Sequence, residues 1–130
     1  MDADRNESGA RGEAYLLVDG EQRPILFTNR ALSEAERLIG RALFGLIMAG
    51  KTELTFEATA QLIWVGMEHG RRDARVGGAA YKISDAWAVM DACGIGPCVT
   101  AVFEAITAVM SYDGGKQTDE SPPRGTGSGS

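Results

Sequence analysis

After Asn29, apolar residues recur at helical spacing in three stretches, and glycine or proline interrupts the chain before any stretch grows long. The stretches are ALSEAERLIGRAL (Ala31 to Leu43), QLIWVGMEHG (Gln61 to Gly70) and KISDAWAVMDACG (Lys82 to Gly94). Apolar side chains three and four apart form one face of an α-helix, and that face must be buried against another element. Several short helices of this kind can satisfy one another only as a small bundle. The chain is therefore expected to be mainly α: four to five short helices, with a short β-hairpin before them.

The hairpin signal lies in Ala14–Val18, an apolar run closed by Asp19-Gly20. Asp-Gly suits a two-residue turn with both residues at positive φ. The return strand is expected over Gln22–Phe27, with Pro24 at an edge because it donates no ladder hydrogen bond. A lone hairpin is marginal in water, so it should lie against the helices.

Thr28 or Asn29 can cap the first helix, and Ser33 with Glu36 offers a capping box for a later start. Ala35, Leu38, Ile39, Ala42, Leu43, Leu46 and Ile47 then form one broad apolar face. Gly40 and Gly45 each weaken this helix by about 1 kcal/mol relative to alanine, which permits a break into two. Gly50 is a C-terminal stop.

Thr55 should cap the next helix, Phe56 to about His69, with Gly70 ending it. Leu62, Ile63, Trp64, Val65 and Met67 leave little of this helix polar, so it is expected at the centre. A polar, glycine-rich loop then spans Arg71–Ala80. Ser84 is the expected cap of a helix over Asp85–Cys93, with Asp85 and Asp91 outside and Ile83, Trp87, Met90 and Cys93 inside. Gly94 stops it, and Pro97 suits the first turn of a last helix carrying Val99, Val102, Phe103, Ile106 and Val109 or Met110.

Large apolar residues are almost absent from residues 1–12 and 111–130, so both are expected to be disordered tails around a folded unit of residues 13–110. Across Glu13–Met110 nine Lys and Arg face twelve Asp and Glu, and the whole chain carries a formal net charge of −5. Nucleic-acid binding draws on a basic stripe, so this balance argues against it. The one basic cluster, Arg71, Arg72 and Arg75, contains Asp73 and reads as a solvated loop. No run approaches the ~20 apolar residues of a membrane span.

Chemistry-bearing motifs are sparse. His69 is the sole histidine, and Glu68, its neighbour, points about 100° away on a helix. Cys93 and Cys98 lack further metal-ligand partners and read as free, partly buried thiols. Gly94-x-Gly96 and Gly77-Gly78 follow no strand and read as helix breaks, not phosphate cradles. Trp64 and Trp87 read as core. Glu34 with Glu36, and Glu53 with Glu57, read as solvated helical faces. No catalytic, cofactor-binding or metal-binding residue is therefore assigned, no cofactor is expected, and a non-enzymatic role is favoured.

One order of motifs carries a family likeness. A strand pair precedes A-L-x-x-x-E (Ala31, Leu32, Glu36) and an I-G step (Ile39-Gly40). A helix follows with L-I-W-x-G-M-x-H (Leu62, Ile63, Trp64, Gly66, Met67, His69), then a capped helix from Ile83-Ser84-Asp85 to Met90-Asp91 and Gly94, and a last amphipathic helix. Over residues 13–110 this resembles the tail assembly chaperones of long-tailed bacteriophages and related gene-transfer agents. The Arg71–Ala80 connection departs from the family in being longer and richer in glycine.

The resemblance implies a non-enzymatic helper that binds the tape-measure protein, and in turn the tail-tube protein, and keeps the former soluble while the tube assembles. It further implies the host bacterial cytoplasm and absence from the finished virion. No nucleic acid and no membrane partner follow from it, and a homo-oligomer is compatible with it. A small structural virion protein, such as a connector or completion protein, is the alternative; a helical regulatory or DNA-binding protein fits the acidic balance less well. Physically, a central helix apolar on nearly every side in so small a domain should leave an uncovered apolar groove. The partner-binding residues are left unassigned by the sequence.

Overall fold

A computed structural model describes residues 9–114. Two strands, β1 (Gly12–Val18) and β2 (Glu21–Phe27), precede five helices: α1 (Asn29–Ile39), α2 (Leu43–Ala49), α3 (Phe56–Asp73), α4 (Ile83–Cys93) and α5 (Ile95–Met110). A short 3-10 turn over Lys51–Glu53 joins α2 to α3. The fold is mainly helical with one N-terminal hairpin, as the periodicity and the Asp-Gly pair imply.

The hairpin pairs Val18 with Glu21 and Gly12 with Phe27. Its turn holds Asp19 at φ 52° and Gly20 at φ 82°, the left-handed pair that a two-residue turn requires. β2 lies on α3 and β1 lies on α5. Gly12 is needed for the second contact: a Cβ there would stand 1.8 Å from the Ala105 carbonyl oxygen. Gly66 plays the same part under β2, where a Cβ would meet Ile25 and Phe27 at 3.0 Å.

α3 is the central helix, packed by β2, α1, α4 and α5. Ten of its 18 residues are buried, Leu62, Ile63, Val65 and Met67 among them. Thr55 caps it through Ala58 N–H at 3.0 Å. Gly70 does not end it. The helix runs on to Asp73, and Gly70 instead lies against β2, where a Cβ would stand 3.3 Å from the Pro24 carbonyl oxygen.

The first apolar face does break. Thr28 caps α1 through Ala31 N–H at 3.2 Å, and Gly40 closes it at φ 79°. Glu36 makes no capping box with Ser33. Its carboxylate accepts from Leu43 N–H at 2.8 Å, serving the start of α2, whose own flanking residue Ala42 has no side-chain acceptor.

Three further expectations are corrected. Residues 10–12 belong to the fold: Ala10 packs against the core, Gly12 is a buried strand residue, and Arg11 pairs with Asp73 at 3.0 Å. At the other end, Ser111 N–H and Tyr112 N–H complete the last turn of α5 on Thr107 and Val109 carbonyls. The remaining tail residues, 1–8 and 115–130, lie outside the described residues. Second, Lys82 and not Ser84 sits at the start of α4. The Asp85 carboxylate accepts from Lys82 N–H at 2.7 Å while Asp85 N–H donates to the Lys82 carbonyl.

Third, Trp87 is not core. It is 39 % exposed, whereas Ala86, Val89 and Met90 are buried. Ile83, Trp87 and Met90 form a genuine helical row, but the row facing α3 and β1 is the adjacent one through Ala86, Val89, Met90 and Cys93. Two rows of one apolar helix differ by a single residue step, which periodicity does not resolve. Trp87→Ala is accordingly expected to cost about 1 kcal/mol or less in urea unfolding, against the ~3–5 kcal/mol of a buried tryptophan.

Among the described residues no single helix is long and apolar enough to cross a membrane. α4 and α5 reach that composition only together, across a 116° bend.

Candidate functional site

The most distinctive surface lies where α1 meets α3. α1 buries Ala31, Leu32 and Ala35 against the core, which leaves Glu34 and Leu38 at its edge, one turn apart. Leu38 remains 45 % exposed. It lines two neighbouring open cavities of about 230 Å³ each. One continues along Glu34, Trp64, Val65, Glu68 and Arg72 to Ala80 and Tyr81. The other continues along Ile39, Arg41, Thr55, Glu57, Ala58 and Gln61.

On α3 these lining residues fall at Glu57/Ala58, Gln61, Trp64/Val65, Glu68 and Arg72. That spacing is a single helical stripe, the one that α1 only partly covers. From Glu57 to Arg72 it spans roughly 22 Å at the α-helical rise. The result is a groove with Ala58, Leu38, Trp64, Val65 and Tyr81 along it and charged side chains at its margins. The central helix itself does not carry the uncovered apolar face expected of it: Ala58 and Val65 are buried, Trp64 is half-buried, and the exposed apolar side chain of the groove is Leu38 of α1.

Polar groups brace the Tyr81 end. The Glu68 carboxylate is bound by the Arg71 guanidinium, accepts from Tyr81 N–H at 3.0 Å, and lies 3.3 Å from Arg72 Nε. Arg71 chiefly, with Tyr81 N–H and Arg72 helping, holds the carboxyl down at about 2 although burial opposes this. Arg71 also donates to the Val76 carbonyl at 3.1 Å, so one side chain ties the helix end to the following loop. Arg71 is thus not the solvated loop residue read from the sequence. The i,i+3 and i,i+4 spacing of Glu68 to Arg71 and Arg72 is the local signal that could have found this cluster.

Trp64 is half-buried, with its indole N–H donating to the Tyr81 carbonyl at 2.8 Å. That bond fixes the ring plane beside the groove, so Trp64 serves both as packing and as lining. Glu34, read as solvated, lies 3.0 Å from His69 Nε2 and joins α1 to α3 across the groove wall. This contact lowers the Glu34 carboxyl pKa. Its partners are 35 residues apart in the chain, and no sequence periodicity links them. Both carboxylates nearest the Trp64 pocket are therefore already engaged.

Two other surfaces stand out. α2 contains no polar side chain: Leu43, Leu46 and Ile47 face inward, while Phe44 (67 % exposed) and Met48 (83 %) face out. Beside the hairpin, Tyr15, Leu17, Ala92, Cys93 and Pro97 line an open cavity of about 400 Å³. Here the Cys93 thiol donates to the Leu17 carbonyl at 2.8 Å, and Cys98 is buried with its pKa pushed up to about 12 by desolvation and by Cys93. Both thiols are free, and no group of three or more potential metal ligands occurs among the described residues.

No family model matches the chain, and no curated protein or solved structure matches it either.

Proposed function

We propose that this protein is a tail assembly chaperone, which holds the tape-measure protein of a long-tailed phage or gene-transfer agent soluble while tail-tube subunits assemble. The observation that carries the reading is the α1–α3 groove. It consists of two open cavities that meet at Leu38, with Leu38, Trp64 and Tyr81 set among polar and charged side chains, and its α3 side runs for about four helical turns. Helix-in-groove recognition uses client residues at i, i+3, i+4 and i+7, a periodicity that the α3 stripe shares. The motif order from Ala31-Leu32 to Gly94 supplies the family likeness.

In this role the protein works in the host cytoplasm and leaves before the particle is complete. Quantitative mass spectrometry of a particle-producing culture checks this. The protein should be abundant in the lysate and depleted to trace amounts in purified particles. A fixed stoichiometric amount per finished particle would instead make it a structural connector.

A further inference from the structure

Cys93 and Cys98 bracket the elbow between the last two helices. Cys93 is the final residue of α4, Gly94 turns the chain at φ 92°, and Cys98 lies in the first turn of α5. Cys98 N–H closes that turn on the Gly94 carbonyl at 3.3 Å, so the two cysteines sit on either side of a short, hydrogen-bonded bend of 116°. The bend brings their thiols within hydrogen-bonding reach of each other. Both thiols are free, and neither lines the α1–α3 groove.

The pair is asymmetric. Cys93 is half-buried and lines the open cavity of about 400 Å³ beside the hairpin, whereas Cys98 has no exposed surface. A reagent arriving from solvent therefore meets Cys93. Burial first, and Cys93 second, push the Cys98 thiol up to about 12, which makes it a poor first nucleophile.

We propose that Cys93 and Cys98 form a reversible dithiol–disulfide site, in which Cys93 is the entry thiol for a small-molecule disulfide and Cys98 the resolving thiol. This is independent of the helix-client reading above. The Cys93 thiolate attacks one sulfur of a disulfide such as oxidised glutathione; a mixed disulfide forms, and the expelled thiolate takes up the proton that Cys93 lost. Cys93 then carries no negative charge, so one of the causes that oppose ionisation of Cys98 is gone. The Cys98 sulfur next attacks Cys93 Sγ, the mixed bond breaks, and the second small thiol leaves with the Cys98 proton. Two protein thiols are oxidised and one small disulfide is reduced to two thiols. The new bond removes the proton that Cys93 donates to the Leu17 carbonyl and ties α4 to α5 across Gly94.

The test incubates the full chain with a large excess of glutathione disulfide, quenches it by alkylation and reads intact mass and mapped peptides. Wild type should lose two hydrogens and both alkylatable thiols, with no retained glutathione and no dimer on a non-reducing gel, and dithiothreitol should restore both thiols. Cys98→Ala should stop at one glutathione on Cys93. Cys93→Ala, folded by circular dichroism, should take up none until urea unfolds it. Wild type that retains glutathione on Cys93, keeps both thiols free or links two chains would overturn the proposal, and these readings need no variant to fold. Modification of Cys98 in folded Cys93→Ala as fast as that of Cys93 in wild type would overturn the entry role of Cys93, and the proposal with it.

Discussion

Replacing Phe27 by alanine is expected to lower the unfolding free energy by about 3–5 kcal/mol. Phe27 is the largest fully buried side chain, and it ends β2 where the hairpin meets the central helix. Its ring tip lies over Gly66, at 3.0 Å from where a Cβ would be, so the ring fills the space that the glycine leaves open. Removing the ring leaves a cavity that neither partner can close. β2 is held by Gly12–Phe27 pairing at that end, and α3 is fixed by α1 and α4 on its other sides. Equilibrium urea unfolding followed by tryptophan fluorescence reads the change. A loss under about 1 kcal/mol would mean that the hairpin is not seated on α3 as described.

Glu68→Ala is expected to cost about 1–3 kcal/mol, for a different reason. The side chain is 12 % exposed and is bound by Arg71, Arg72 and the Tyr81 amide. Its removal leaves the Arg71 guanidinium, itself 17 % exposed, without its carboxylate, and frees the loop that leads into α4. The pH dependence follows from the lowered carboxyl pKa. An acid with a folded-state value of about 2 and an ordinary unfolded value near ~4.3 contributes its full stabilisation above the unfolded value. That contribution is lost as pH falls from there toward about 2. Wild type and Glu68→Gln should therefore differ most in stability near pH ~7, and the gap should shrink progressively below pH ~4. A gap that stays constant down to pH ~2 would show that the carboxylate is not charged in its cluster.

The parts of the fold set by local rules are readable in the chain. Asp19-Gly20 demands a left-handed two-residue turn, and Thr55 and Gly40 place a cap and a stop where helices begin and end. The dense apolar run from Leu62 to Met67 marks the central helix, but the neighbouring elements cover that run and leave only Trp64 in it half-buried. What local rules do not reach is the choice between adjacent rows. Trp87 and Val89 are both apolar on one helix, and only the way that helix packs on α3 and β1 decides which faces inward. Gly70 reads as a helix stop, yet it is kept by close contact with β2, a partner more than forty residues earlier in the chain. The site divides in the same way. Glu68 with Arg71 and Arg72 is written at helical spacing, whereas Glu34 with His69 exists only because α1 folds back on α3.

The groove also explains why one residue concentrates the functional prediction. Leu38 lines both of its cavities, is nearly half exposed, and contributes little to the core. Leu38→Asp should thus leave the fold intact while placing a charge on the floor where a client's apolar stripe would sit.

The most direct measurement is co-expression of the proposed client, a phage tape-measure protein, with wild type, with Leu38→Asp, and alone, followed by the soluble fraction of the client. With wild type the client should move from the pellet to the supernatant and co-purify with this protein. With Leu38→Asp, equally soluble and folded by circular dichroism, it should return to the pellet. A client that is equally soluble in all three cases would contradict the proposed role, and a client rescued equally by wild type and Leu38→Asp would place its binding elsewhere than the α1–α3 groove.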